Sequence, residues 1–251
     1  MTALPTSGTT PPPADGLPKV TVEVTVMGDV LVTGATGGIG TAVVAALASA
    51  GHSVIAVGKD AGRLRALAAT ATRTVEADLA RPDTLAAALD GIDALDGLVH
   101  CAGVAHVAAV GDTRTETWQE TLGVNVVSAA EVTRLALPAL RRSRGHVILV
   151  NASPGMTGVP RWSAFVGSKA ALRELADSLR EEEAGNGVRV TTVYPAATAT
   201  EHLRDIREAF GRPYDPSACI QPETLASMIV WVLAAPPDSY ACELAVLPAP
   251  S

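Results

Sequence analysis

The sequence contains no apolar run that approaches the roughly 20 residues of a membrane-spanning helix, and its N-terminus lacks a basic region followed by an apolar one. Cysteine is scarce: Cys101, Cys219 and Cys242 form an odd set without metal-like spacing, so we expect reduced thiols, no disulfide framework and no bound metal. Positive charge is also scarce, since the chain has 19 Lys and Arg but 26 Asp and Glu, which gives a net charge of -7. This balance argues against nucleic acid as a partner. We therefore expect a soluble, cytoplasmic protein that binds neither nucleic acid nor membranes.

Hydrophobic residues make up 48% of the 251 positions, enough for one large core in a single domain at 27–251. The first 26 residues differ, because Pro11, Pro12 and Pro13 stand among small polar residues typical of a disordered tail. Met27 stands immediately before Gly28 and the first predicted strand, which favours residues 1–26 as an upstream extension that results from start-codon choice. The alternating pattern over 20–26 favours instead an extra edge strand, and both interpretations stay open.

From residue 28 onward, short apolar runs alternate with longer Ala- and Leu-rich helical patterns. Strands are predicted at 29–33, 53–57, 73–76, 97–100, 146–150, 188–193 and 243–247, and helices at 41–50, 61–69, 82–89, 115–140 and 163–184. This alternation is typical of βαβ units, whose parallel sheet carries helices on both faces and binds its ligand beyond the carboxyl ends of the strands. The predicted fold is an α/β Rossmann-type doubly wound parallel sheet of about seven strands.

A glycine-rich segment, Thr33-Gly34-Ala35-Thr36-Gly37-Gly38-Ile39-Gly40, joins the first strand to the first helix. Residues without a Cβ allow a backbone to approach a pyrophosphate closely, and the unpaired N–H groups of a helix N-terminus bind that anion. The segment therefore predicts a dinucleotide site.

Six further segments lie within or directly after the later predicted elements, in a fixed order. They are Asp78-Leu79, His100-Cys101-Ala102-Gly103, Asn125, Asn151-Ala152-Ser153, Phe165-x-x-x-Lys169 and Tyr194-Pro195. Together with the glycine-rich segment, they resemble the short-chain dehydrogenase/reductase family, of the short single-domain type, over about residues 28 to 248. The resemblance implies hydride transfer between NAD or NADP and a carbonyl or alcohol of a small-molecule substrate. It also implies a homodimer or homotetramer, and the helices predicted at 115–140 and 163–184 carry Ala and Leu stripes wide enough to face a second subunit.

The cofactor residues that the resemblance implies fall into groups. Gly34, Thr36, Gly38, Ile39 and Gly40 form the pyrophosphate loop, Asp78 and Leu79 contact the adenine, Ala102 and Gly103 line the nucleotide cleft, Lys169 binds the ribose, and Pro195, Thr198 and Thr200 surround the carboxamide. Ala196 occupies a position that is commonly glycine. The second strand ends in Gly58-Lys59, with no carboxylate for a free ribose 2′-hydroxyl and with Lys59 as counter-charge for a 2′-phosphate. We therefore predict NADP(H), with NAD(H) as the alternative.

The catalytic residues depart from the family pattern. The family places its proton-donating tyrosine four residues before a lysine, on the same helix face, and this chain has Phe165 there. Lys169 is retained, as is Asn125, which resembles the asparagine that holds a water near that lysine. The family serine falls at Ala152, and Ser153 is the candidate one position further along, in a turn set by Pro154.

Three explanations of Phe165 stay open. In the first, the substrate needs no strong acid, as is the case for a cationic iminium. In the second, the protein binds a nucleotide without redox turnover, or is a non-redox enzyme that reuses the cleft. In the third, the tyrosine of an ordinary carbonyl reductase was replaced deliberately. Other candidate proton donors are His100, His106, His202 and Tyr214. For a small or medium hydrophobic substrate we predict contacts from Val104, Met156, Trp162 and Tyr214, beneath a lid formed by residues 201–222.

Overall fold

The apolar runs form one parallel sheet in the computed structural model, which describes residues 28–153, 155–236 and 238–249. The strands are β1 Asp29–Thr33, β2 Ser53–Gly58, β3 Arg73–Glu76, β4 Gly97–His100, β5 His146–Val150, β6 Arg189–Pro195 and β7 Glu243–Val246. Their order in the sheet is β3-β2-β1-β4-β5-β6-β7. Residues 1–26, with both of their interpretations, Met27 and Pro154 lie outside the described residues.

Eight α-helices connect the described strands. They are α1 Gly38–Ser49, α2 Ala61–Leu67, α3 Leu85–Ala88, α4 Thr115–Leu122, α5 Ser128–Ser143, α6 Ser163–Glu183, α7 Glu201–Ala209 and α8 Pro222–Leu233. A π-helical turn, Gly123–Val127, lies between α4 and α5.

Side chains that alternate along each strand divide the core into two layers. In β1, Leu31 packs with buried residues of α5 and α6, whereas Val30 and Val32 pack with those of α1 and α8. Helices therefore cover both faces of the sheet, and the predicted doubly wound α/β fold in a single domain is confirmed.

The strand order reverses between β1 and β4, whose carboxyl ends lie side by side. An open crevice forms at such a reversal, because the connections that leave the two strands run to opposite faces of the sheet. Gly34 follows β1 and Cys101 follows β4, so the glycine-rich segment lies at this crevice.

Two helical predictions differ from the structure. The helix predicted over 115–140 is α4 and α5 with the π-helical turn between them, and the helix predicted over 82–89 is a 3₁₀ turn, Pro82–Thr84, followed by the single turn α3. The π-helical turn carries Asn125, whose side chain bonds to a neighbouring loop, so a tertiary contact accompanies the local change of period.

Candidate functional site

The loops that follow β1 to β4 enclose a cavity of about 460 Å³, which we call the glycine pocket. Its lining includes the predicted cofactor residues Gly34, Thr36, Lys59, Asp78, Leu79, Ala102 and Gly103. The structure thus brings together residues that are up to 69 positions apart in the sequence, from Gly34 to Gly103.

The glycines of the first turn are required by close backbone contacts. Gly34 has a φ of +65°, and a Cβ there would lie 2.6 Å from the Cα of Ala102. A Cβ on Gly40 would overlap the carbonyl oxygen of Gly34, which accepts the N–H of Gly37 at 3.0 Å. A Cβ on Gly38 would lie 2.7 Å from Cγ2 of Thr200. The turn is therefore a backbone-lined cradle, of the kind that a pyrophosphate needs.

The positive side chains of the glycine pocket come from the segment that follows β2. Lys59 and Arg63 both line this pocket. Asp60, which follows Lys59, caps α2 by accepting the N–H of Arg63 at 2.9 Å, and this hydrogen bond is the main cause of the lowered pKa of Asp60. Arg63 also reaches Glu201 at 3.4 Å and the carbonyl of Thr36 at 3.3 Å. Sequence reasoning missed Arg63, although it follows Lys59 by one helical turn.

Phe165 and Lys169 lie on the same face of α6, as their four-residue spacing predicts. The ring of Phe165 stacks on Trp162 with centroids 4.4 Å apart, and Nζ of Lys169 lies 5.8 Å from the centre of that ring. Nζ donates to the carbonyl oxygen of Val150 at 3.1 Å. A lysine thus stands beside an aromatic ring that has no hydroxyl.

Burial lowers the pKa of Lys169 to about 8, while the Cys101 thiol beside it acts in the opposite direction. Burial also raises the pKa of Cys101 to about 12, so this thiol stays protonated. Lys169 lines a smaller cavity, which Ser153 also lines, rather than the glycine pocket, and a Cβ on Gly103 would lie 3.7 Å from its Nζ.

Asn125 connects the π-helical turn to the loop after β4. Its Oδ1 accepts the N–H of Val104 at 2.8 Å, and its Nδ2 donates to the carbonyl of Val104 at 3.0 Å and to Oγ of Ser168 at 2.8 Å. The side chain is buried. In this arrangement Asn125 fixes the wall of the glycine pocket by direct hydrogen bonds.

A second cavity of about 320 Å³, which we call the apolar pocket, lies beside the first. It is lined by the predicted residues Ile39, Ser153, Met156, Trp162, Phe165, Pro195, Thr198 and Thr200, together with Ala152 and residues of α7. Thr200 caps α7 by accepting the N–H of Leu203 at 3.1 Å, and Thr198 donates to the carbonyl of Ala196 at 3.1 Å. Both hydroxyls are thus engaged with backbone groups.

Two predicted substrate contacts lie elsewhere. Val104 lines the glycine pocket, because its backbone is bound by Asn125 on that side. Tyr214 follows the turn at Gly211, which has a φ of +67°, and lines neither pocket. The lid predicted over 201–222 includes α7, whose inner side chains close the apolar pocket.

The histidines differ sharply in position. His100 is buried, its Nε2 is 3.0 Å from Oγ1 of Thr133, burial lowers its pKa to about 4, and it lines neither pocket. His106 pairs with Glu120 at 3.0 Å. His202 is the single described residue that lines both pockets. Its pKa is lowered, first by partial desolvation of the ring and then by the positive charge of Lys169, although the residue as a whole is exposed to solvent.

Within the described ranges, no group of three or more His, Cys, Asp and Glu side chains is placed to hold a metal ion. In that same part of the chain, each helix is too short or too polar to cross a bilayer.

A family model described as short chain dehydrogenase matches residues 29–210. An uncharacterized short-chain type dehydrogenase/reductase of Sinorhizobium fredii is 32% identical over 225 residues, which cover 87% of this chain and 90% of that protein. An NADP-dependent 3-hydroxy acid dehydrogenase of Salmonella typhi is 29% identical over 221 residues, which cover 82% of this chain and 89% of that protein.

Among solved structures, a metagenomic short-chain oxidoreductase in complex with NADP matches with a TM-score of 0.76 at 25% identity, over 91% of this chain and 100% of that one. The match of the family model, the identity to the Sinorhizobium protein and the doubly wound sheet agree with one another. This chain therefore belongs to the short-chain dehydrogenase/reductase family of oxidoreductases.

Proposed function

We propose that this chain is an NADP(H)-dependent oxidoreductase that transfers hydride to or from a small organic carbonyl or imine, with an altered catalytic set. One observation carries the proposal: Nζ of Lys169 lies 5.8 Å from the centre of the Phe165 ring, and Phe165 occupies the helix position at which the family has a tyrosine. The site thus keeps the lysine and has a phenyl ring in place of the phenol.

The glycine pocket fits a dinucleotide, because Gly34 and Gly40 form a cradle that a Cβ would fill. The bound nicotinamide nucleotide would supply or accept the hydride. Lys59 and Arg63 line the part of the pocket where a ribose 2′-phosphate needs a counter-charge, whereas Asp60 is engaged as the cap of α2. The names of the Salmonella relative and of the metagenomic structure also support NADP over NAD.

The proposed cofactor preference predicts the effect of Lys59→Glu. In the unchanged protein we expect the dissociation constant of NADH to exceed that of NADPH. In the variant we expect the ratio of these two constants to fall at least tenfold, which is about 1.4 kcal/mol, because a carboxylate repels the 2′-phosphate. Titration of both nucleotides by protein fluorescence measures this. Arg65→Glu is the control, since it makes the same charge change on α2 outside the pocket. Tighter binding of NADH than NADPH by the unchanged protein would refute the preference.

The loss of the phenol restricts the chemistry. A neutral ketone becomes an alkoxide as hydride arrives and needs a proton from a nearby acid, whereas an iminium is already cationic and becomes a neutral amine. The Phe165 ring offers no proton, and His202 is the single described titratable residue that lines both pockets. We therefore favour an imine or iminium substrate over a simple ketone.

The test uses NADPH deuterated at C4 with a panel of cyclic imines and ketones. Deuterium in an amine product, with one NADP⁺ formed per product, is the expected result. Binding of NADPH without transfer to any member would favour the runner-up, a nucleotide-binding protein without redox turnover. Failure to bind either nucleotide would remove the cofactor argument as well.

A further inference from the structure

Two arginines line the apolar pocket, and no Asp or Glu does so among the described residues. Arg207 lies on the inner side of α7 and is half-buried, and Arg212 follows the turn at Gly211. The whole chain has a net charge of -7, so a pocket in which the Arg side chains have no acidic counterpart has the opposite sign of charge to the protein as a whole.

These guanidinium groups are not used in ion pairs. Nearby, Arg204 pairs with Asp205 at 3.4 Å and Arg63 with Glu201 at 3.4 Å. Within the described part of the chain, no carboxylate oxygen lies within 4.0 Å of Arg207, Arg212 or Arg161. A guanidinium that has no internal partner keeps its forked donors for an external anion.

Arg212 and a third arginine, Arg161, both lie against the ring of Phe210. The guanidinium carbon of Arg212 lies 5.3 Å from the centre of the Phe210 ring, and that of Arg161 lies 5.6 Å from the same centre. Arg161 donates from Nη2 to the carbonyl of Ala209 at 2.9 Å. It has a φ of 64°, an unusual backbone conformation for a residue other than glycine, and its carbonyl accepts the N–H of Ala108 at 2.9 Å. Arg161 thereby fixes the ring against which Arg212 rests.

A row of aromatic rings separates Arg212 from Phe165 and Lys169. Phe165 stacks on Trp162 at 4.4 Å, and Trp162 meets Phe210 edge to face at 5.5 Å. A ligand in this cavity therefore meets an apolar wall at its middle and positive charge at the end remote from Lys169.

We propose that the substrate is an organic carboxylate: an apolar, ring-sized body with its carbonyl or imine toward Phe165 and its carboxylate on Arg207 and Arg212. This inference rests on the proposed function, because it names the substrate class of the same site. Arg161 acts as a positioning residue through Phe210.

The test compares three aryl ketones that differ only in the remote group: 3-benzoylpropionate, its methyl ester and the phosphonate of the same length. Their dissociation constants are measured by calorimetry with protein saturated with NADP⁺, so no turnover is needed. We expect the carboxylate to bind at least tenfold more tightly than the ester. Tighter binding of the phosphonate than of the carboxylate would contradict the carboxylate assignment.

The double variant Arg207→Met/Arg212→Met keeps unbranched side chains and removes both charges. We expect it to bind the carboxylate and the ester equally, with the ester unaffected, while Arg204→Met, on the same helix but paired outside the pocket, keeps the preference. Thermal melting and NADPH binding check that each variant is folded. A carboxylate preference that persists in the double variant, equal binding of carboxylate and ester by the unchanged protein, or no binding of any compound would overturn the proposal.

NADPH oxidation is followed separately with the same protein preparations, with NADPH in place of NADP⁺ and with the imines formed from the carboxylate and from its methyl ester. Carboxylate preference without any oxidation supports the anion site and contradicts the redox proposal. Oxidation of both imines with no carboxylate preference contradicts the anion site alone.

Discussion

The Phe165→Tyr variant is expected to reduce a simple aryl ketone with NADPH about 10² to 10⁴ times faster than the chain with phenylalanine, or about 3 to 5 kcal/mol of barrier. The added hydroxyl would stand on the α6 face that carries Lys169, whose positive charge lowers the pKa of a phenol and makes it a better acid. Steady-state NADPH oxidation measures the effect.

Phe210→Tyr is the matched control. It adds the same hydroxyl to the same pocket, but at the arginine end, where the ring packs against Trp162 and Arg212. We expect ketone reduction by this variant to stay at the level of the unchanged protein. Equal ketone rates in Phe165→Tyr and the unchanged protein, with NADPH bound by both, would show that the missing hydroxyl does not limit the reaction.

Gly40→Ala is expected to weaken NADPH binding at least tenfold and to destabilise the fold. The new Cβ would overlap the carbonyl oxygen of Gly34 and lie 2.8 Å from its carbonyl carbon, so the first turn must open. Overpacking of a tight site costs typically about 1 to 3 kcal/mol, and tenfold in affinity is about 1.4 kcal/mol. Fluorescence titration and thermal melting, each with and without NADPH, measure the two effects.

The control for this change is Gly123→Ala, since a Cβ there would meet nothing within 4 Å. We expect unchanged NADPH binding in that variant. If Gly40→Ala melts like the unchanged protein and binds NADPH as tightly, the first turn is not the rigid cradle described above.

The sheet could be predicted from sequence because buried parallel strands form nearly continuous apolar runs. The predicted strands 29–33, 73–76, 97–100 and 146–150 agree with β1, β3, β4 and β5 at both ends. The π-helical turn could not be predicted, because the bonds from Asn125 to Val104 and Ser168 join residues distant in sequence. Hydrophobic periodicity reports which face is buried, not such a local change of period.

The division of the site into two pockets could not be predicted from the sequence either. The predicted segments indicated which residues reach the carboxyl edge of the sheet, but the direction of a loop side chain depends on the path of the backbone. Val104 is turned to the glycine pocket by Asn125, and Arg161 is oriented by a left-handed backbone conformation. No sequence motif marks the arginines of the apolar pocket, so their position in it is known only from the packing of α7 and Phe210 near Trp162.

The most direct measurement is single-turnover hydride transfer from NADPH to a preformed N-alkyl iminium carboxylate, followed by stopped flow for the unchanged protein and for Phe165→Tyr. Such a substrate needs no proton, so the account predicts transfer by both proteins at rates within a factor of about three, a barrier difference below about 1 kcal/mol. Transfer by Phe165→Tyr alone, or by neither protein, would contradict it.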